Sequence, residues 1–183
     1  PGVHLYFHGR LLHGARASKM RSEAFDAFAE AARPRHGEAA VELPAALCWR
    51  QPRRPANVAV LPLFPGLQAA QVRALLATGV EALLLECYGS GTGPSDDEAL
   101  LTALREAHAR GEVLAAISQC AEGHVECGVY AAGSRLAATG LVGGGGMSRE
   151  AALAKLFALL GAGLDQAEVE RWFAVDLCGE LRD

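Results

Sequence analysis

Residues 81–97 read EALLLECYGSGTGPSDD. The stretch opens on an apolar run, Ala82 to Leu85, bounded by turn residues, which predicts a fully buried strand. A turn of small residues follows, Gly89-Ser90-Gly91-Thr92-Gly93-Pro94, and then a helix start. Ser95 and Glu98 stand at the spacing of a capping box, in which each side chain satisfies an amide of the first turn. Strand, glycine-rich loop and helix N-terminus is the order that an open parallel α/β sheet presents at the carboxyl edge of its strands, where ligands bind. Glycines also serve tight turns that bind nothing. The pattern alone leaves both readings open.

Working outward, the same rhythm repeats. Val58 to Phe64 predicts a buried strand ended by Pro65-Gly66, and Ala69 to Thr78 a helix with Val72, Leu75 and Leu76 at helical spacing and Gly79 as its stop. Asp96 to Arg110 carries Leu100, Leu101, Leu104 and Ala107 on one stripe, with acids first and a base last, the charge order that suits the helix dipole. Val113 to Ile117 predicts a third buried strand and Leu141-Val142 a brief fourth, separated by a loop or hairpin over 122–128 and a short helix over 133–139. Gly143 to Gly146 predicts close backbone approach to a neighbour. Ser148 caps a helix bearing Leu153, Leu156, Phe157 and Leu160. Asp165, with Glu168 in the box position, caps a last helix that turns Val169, Trp172 and Phe173 inward. Apolar strands without alternation, each joined to the next through a helix, predict a small parallel β-sheet flanked by helices on both faces, with right-handed crossovers.

Upstream the pattern changes. Val3 to Phe7 and Leu11-Leu12 flank His8-Gly9-Arg10 as a hairpin. Phe25 and Phe28, three apart, predict some helix between Ser18 and Ala32. Prolines and glycines from Pro34 to Pro55 make residues 33–56 irregular, with a short strand near Val41. The expected division is therefore a hairpin and linker over 1–56 and an α/β domain over 57–183.

The 183 residues are 51% hydrophobic and 21% charged, enough for one packed domain and a piece of another. A net charge of -4 and a pI near 5.9 exclude the basic footprint of a nucleic-acid binder, and Arg50, Arg53 and Arg54 read as a solvated linker. No apolar run approaches the roughly 20 residues that span a bilayer. The N-terminus lacks the pattern of a signal peptide and enters a strand directly at Pro1, as expected of a segment from a longer chain. Cys48, Cys87, Cys120, Cys127 and Cys178 are odd in number and dispersed, so neither a disulfide framework nor a zinc site is expected, and a reducing cytoplasm fits.

Catalytic devices are scarce. Of six histidines, His124 alone falls in a loop at a strand end, near Cys120, but surface-loop histidines are common. No GxSxG occurs, the glycine loop lacks the lysine of a P-loop, and Pro94 holds the place of the third glycine of a dinucleotide fingerprint. Cys87 and Cys120 both read as small buried hydrophobes at strand ends.

Several ordered segments nevertheless resemble one family. Leu5 to Lys19 (LYFHGRLLHGARASK), Phe25-Asp26-Ala27-Phe28, Leu63 to Gly66, Glu86 to Pro94, Gln119 to Gly123, Tyr130 to Gly133, Met147-Ser148-Arg149-Glu150-Ala151 with Lys155-Leu156, and Asp176 to Leu181 are similar to the carboxyl-terminal part of the L-asparaginase family, in its cytoplasmic type I branch. The resemblance implies hydrolysis of L-asparagine to L-aspartate and ammonia by a homodimer or tetramer, without metal or cofactor, membrane or nucleic acid. Its threonine nucleophile lies in a TGGT motif of the amino-terminal domain, which this chain lacks. The chain is thus expected to hold no catalytic residue and to be inactive alone.

By the same resemblance, Ser90, Gly91 and Thr92 match a loop lent to the partner subunit's active site, with Thr92 where the family usually has asparagine. Glu86, Ser118 and Cys120 match an effector site for asparagine, with glutamate in place of an arginine. That reversal of charge predicts weak or absent allostery. Ala29-Glu30-Ala31-Ala32 stands where the family linker usually has Ser-Pro-Asn. A non-catalytic amino-acid-sensing domain and a relative acting on another amide remain the alternatives.

Overall fold

The computed structural model describes residues 2–30, 42–48, 50–125 and 135–181. Its centre is a four-stranded sheet of β5 (Val58–Pro62), β6 (Ala82–Cys87), β7 (Val113–Ser118) and β8 (Val142–Gly143), in that spatial order, with every neighbouring pair parallel. The crossovers carry α1 (Ala69–Leu76) and α2 (Glu98–Arg110), and residues 135–137 are helical in the third connection. Helices α3 (Arg149–Gly161) and α4 (Gln166–Phe173) complete the domain.

All six residues of β6 and the first five of β7 are buried, as strands covered on both faces must be. The pleat divides them. Leu83, Leu85, Cys87, Leu114 and Ala116 face a core with Val72 and Leu76 of α1 and Leu100, Leu101 and Leu104 of α2. Ala82, Leu84, Val113, Ala115 and Ile117 face a second core with Leu156 and Leu159 of α3 and Val169 and Phe173 of α4. Phe157, expected on the inner stripe of α3, is instead 45% exposed, because Leu159 and Leu160 fill the inner face.

The helix ends follow local chemistry, with one correction. Ser148 Oγ accepts the Ala151 amide, and Asp165 and Glu168 form the expected reciprocal box. In α2 the cap is Asp97, whose Oδ1 accepts the Leu100 amide at 3.0 Å, so Ser95 and Glu98 do not pair. Ser95 is buried in the preceding turn, and the Glu98 carboxylate is held by Arg105 and Arg135. Gly111, at φ 107°, ends the helix in the left-handed conformation. Close approach explains Gly144, where a Cβ would press on the Ala116 carbonyl.

Upstream, β1 (His4–Phe7) and β2 (Arg10–His13) form the expected hairpin, turning through His8 and Gly9 at positive φ. No helix forms among the described residues 18–30 of the span where one was expected. β3 (Ala17–Lys19) pairs antiparallel with β4 (Phe28–Glu30), and the Phe28 ring packs edge-on against Phe7 at 5.0 Å while Phe25 sits exposed over His8. Contact across the two hairpins overrides the local spacing. The strand expected near Val41 lies outside the described residues, as do residues 126–128 of the loop expected over 122–128. Ahead of β5, a 3-10 turn at Ala45–Leu47 packs on the second core, and Arg54 pairs with Glu81. Residues 45–47 are therefore docked on the sheet's second core, while Arg50, Arg53 and Arg54 stay exposed.

The carboxyl end is clamped by a buried ion pair. Lys155 Nζ meets Glu180 Oε1 at 2.5 Å and donates to the Val175 carbonyl, while the Glu180 carboxylate accepts the amides of Leu177 and Cys178. On its other side the Gly179 carbonyl accepts Arg16 Nη1 at 2.8 Å, and Arg16 also pairs with Glu30. Burial alone would raise the Glu180 carboxyl, but the charge and hydrogen bond of Lys155 and the Leu177 amide bring it from 4.5 to about 2. A depressed native value means that the unfolded chain binds the proton first as pH falls, so this stabilisation is complete above the ordinary value and fades toward about 2. Replacing Glu180 by Gln leaves a buried ammonium without its counterion, an expected loss of about 3–5 kcal/mol at pH 7. Urea denaturation across acid pH should show the gap between wild type and E180Q closing between pH 4.5 and about 2.

Candidate ligand cleft at the carboxyl edge of the sheet

The strands β5, β6 and β7 end side by side, and Gln119 ties them. Its Nε2 donates to the Leu63 carbonyl at 2.6 Å and to the Glu86 carbonyl at 2.7 Å. A cleft of about 650 Å³ opens beyond this edge, between the strand ends, the N-terminus of α3 and the β3–β4 hairpin.

Glu86 forms the floor. As the fifth residue of a strand buried on both faces it is 4% exposed, and a carboxylate there requires a partner. Arg149 supplies it in a two-pronged pair, with Nη2 to Oε2 at 2.8 Å and Nε to Oε1. Arg149 is the first residue of α3, placed there by the Ser148 cap. A cation at a helix N-terminus opposes the dipole, and Glu86 offsets that conflict. The hydrogen bond that Arg149 donates to Glu86 raises the basicity of the guanidinium. Next to it, Glu150 Oε2 accepts the Ser18 hydroxyl at 2.9 Å.

The lining carries four carboxylates, Glu30, Glu86, Glu122 and Glu150, against two cations, Lys19 and Arg149. Burial would raise the Glu30 carboxyl, but the Arg16 hydrogen bond and the His13 amide hold it below the ordinary range. The cleft is acidic on balance, and its floor is internally neutralised. An amine fits this electrostatic surface better than a carboxylate.

The residues that the sequence groups as an effector site share this cleft: Glu86, Ser118 and Cys120 all line it. The side-chain oxygens of Glu86 and Ser118 are engaged. Both Glu86 oxygens bind Arg149, and the Ser118 hydroxyl donates to the Gly89 carbonyl at 2.6 Å while accepting the Cys120 amide. Cys87 is buried as expected, but Cys120 is exposed, because β7 ends at Ser118 and the chain turns outward at Gln119. Cys127 lies outside the described residues.

The loop residues Ser90, Gly91 and Thr92 do not line the cleft. They cap a tight turn in which the Tyr88 amide donates to the Thr92 carbonyl at 2.8 Å and the amides of Gly91 and Thr92 donate to the Tyr88 carbonyl at 3.0 Å. Gly89 and Gly91 take positive φ, and a Cβ at Gly93 would collide with Leu63. These glycines serve the turn geometry, with Gly91 buried and Ser90 and Thr92 half-buried. Among the described residues no group of three or more His, Cys, Asp and Glu side chains could hold a metal ion, and no helix is long and apolar enough to cross a membrane.

Sequence reasoning missed Arg149 and Gln119. Arg149 was legible in part, since the Ser148 cap places it at the start of a helix following a strand, hence at the carboxyl edge. Its pairing with a residue 63 positions earlier was not.

Comparison with known proteins places residues 57–173 in a family model described as the glutaminase/asparaginase C-terminal domain. The chain is 37% identical over 189 residues to L-asparaginase 1 of Escherichia coli K12, covering 98% of this chain and 56% of that protein. It is 34% identical to the human 60 kDa lysophospholipase, covering 99% of this chain and 33% of that protein. The thermostable L-asparaginase from Thermococcus kodakarensis superposes with a TM-score of 0.83 at 28% identity, covering 100% of this chain and 58% of that structure. The chain thus spans about half the length of these asparaginases.

The Glu86–Arg149 pair makes a direct expectation. Arg149→Met strands a buried carboxylate and should cost about 1–3 kcal/mol in urea denaturation. The double variant E86Q/R149M should recover most of that loss, because neither charge then remains unpartnered.

Proposed function

The chain belongs to the glutaminase/asparaginase family as a carboxyl-terminal domain, and from that premise we propose that it is the framing half of an L-asparagine amidohydrolase. Residues 1–56 close a preceding catalytic domain and link it to the α/β domain of residues 57–183. The match of residues 57–173 to the carboxyl-terminal family model carries this reading. The exposed Val3, Tyr6, Leu11 and Phe25 of the hairpins support it, since a two-stranded ribbon with bare apolar residues is marginal alone and fits as the edge of a larger domain.

In this reading a threonine hydroxyl on the preceding domain attacks the side-chain amide of asparagine. Ammonia leaves, and water releases aspartate from the acyl-enzyme. No metal or cofactor takes part. The chain contributes the loop of Ser90, Gly91 and Thr92 to the site of a partner subunit, in a cytoplasmic homodimer or tetramer. Thr92 places a hydroxyl, whose proton goes to the Tyr88 carbonyl at 3.4 Å, where the family usually has an amide, so it offers the substrate lone pairs and not a donor. That difference favours a second reading, in which the parent enzyme prefers another amide.

The cleft of Glu86, Ser118 and Cys120 is proposed to be a poor effector site for asparagine. The oxygens of Glu86 are paired, and the surrounding acids repel an effector carboxylate.

Ammonia release tests the main reading. The full-length polypeptide should hydrolyse asparagine and the 183-residue chain should not; turnover by this chain alone would overturn it. A larger kcat/KM for a different amide would select the second reading. In calorimetry, L-asparagine should bind this chain no more tightly than about 1 mM. Micromolar binding would instead establish an effector cleft.

A further inference from the structure

Ser118 closes β7 at the boundary between the cleft and the glycine loop, and its hydroxyl is the point where the two meet. A serine hydroxyl has one proton and two lone pairs. The proton goes to the Gly89 carbonyl at 2.6 Å, and one lone pair accepts the Cys120 amide at 3.0 Å. The Cys120 bond fixes the rotor, so the proton has a defined direction. Gly89 is the first residue of the turn beyond Tyr88, at φ 43°, a pivot with no side chain to limit it. Within the turn, the bonds between Tyr88 and Thr92 set its shape. Where the loop leaves β6, the Gln119 amide donates to the Cys87 carbonyl at 2.9 Å, and the Ser118 bond adds a side-chain anchor that ties the pivot carbonyl to the adjacent strand 29 residues away.

We propose that Ser118 is a positioning residue: its hydroxyl holds the Ser90–Thr92 loop in the orientation that receives substrate. This inference rests on the reading that the loop contacts substrate in a partner's site. It assigns Ser118 to loop geometry, a role that leaves its hydroxyl no proton to offer an effector. Gln119, the next residue, braces the same edge by bonding the Leu63 and Glu86 carbonyls. The end of β7 therefore fixes both the strand termini and the loop that leaves them.

The test pairs kinetics on the full-length enzyme with hydrogen exchange on this chain. Ser118→Ala should raise KM for asparagine about tenfold, the equivalent of one hydrogen bond's net contribution, with kcat changed less than about twofold. Ser118→Thr retains the hydroxyl and should restore KM. In the exchange experiment, S118A should speed exchange of the Gly91 and Thr92 amides about tenfold while leaving the denaturation midpoint unchanged. An unchanged KM and unchanged exchange in S118A would overturn the inference, as would failure of S118T to restore them. Protection lost evenly across the domain would also overturn it, since that marks a purely structural serine. Thr92→Ala separates the two levels of the argument. If T92A leaves KM untouched, the reading that the loop meets substrate fails, whereas the exchange result still decides the tether. If T92A raises KM and S118A does not, only the tether fails.

Discussion

Burial of β6 and β7 on both faces is the constraint from which the rest of the domain follows. A strand with water on neither side places every residue in a core, so successive side chains must supply two different cores. Leu83 and Leu85 serve the face covered by α1 and α2, and Ala82 and Leu84 serve the face covered by α3 and α4. Parallel pairing then forces a helical crossover between each pair of strands and collects all the strand ends at one edge. The cleft and the glycine loop both occupy that edge, where ligands bind in open parallel sheets.

In the α/β domain the described residues bury charge at two places, each matched by a distant partner. Glu86 interrupts a buried strand at the ligand edge and is met by Arg149. Glu180 enters the far core boundary and is met by Lys155. Burial lowers the Lys155 ammonium, against the opposing pull of Glu180, so the ion pair rests on its geometry more than on attraction alone. Such pairs contribute specificity of placement: Arg149 fixes the start of α3 over the cleft, and Glu180 folds the carboxyl-terminal hook over α3. Through the Gly179 carbonyl the same hook holds Arg16, and with it the N-terminal hairpins. The hairpins thus meet the α/β domain through polar contacts, Arg16 with the Gly179 carbonyl and Ser18 with Glu150 at the cleft.

The carboxyl edge therefore works as a set of fixed bonds. Gln119 gathers the ends of three strands, Ser118 reaches the loop pivot, and Arg149 closes over Glu86. Under the proposed reading, in which this domain frames a partner's pocket, rigidity at this edge is the property required, because the loop must be held without help from the chemistry it would serve.

Much of this was legible in the sequence, for a physical reason. Unbroken apolar runs at Ala82–Leu85 and Val113–Ile117 admit few structures other than strands covered on both faces. Ser148 and Asp165 terminate helices through bonds made within four residues, and His8-Gly9 turns a hairpin by its own dihedral preferences. These are short-range constraints, and sequence carries them directly. Where two local signals competed, as with Ser95 and Asp97, or where packing overrode spacing, as with Phe25 and Phe28, the sequence alone misplaced the element. The site shows the same boundary. The chain's order brought Glu86, Ser118 and Cys120 to one edge, but which groups they bind depends on residues 63 and 29 positions distant. A carboxylate and a hydroxyl are potential ligands in the sequence; only the tertiary structure decided that Arg149 and Gly89 had already taken them, because hydrogen bonds are satisfied in space and not along the chain.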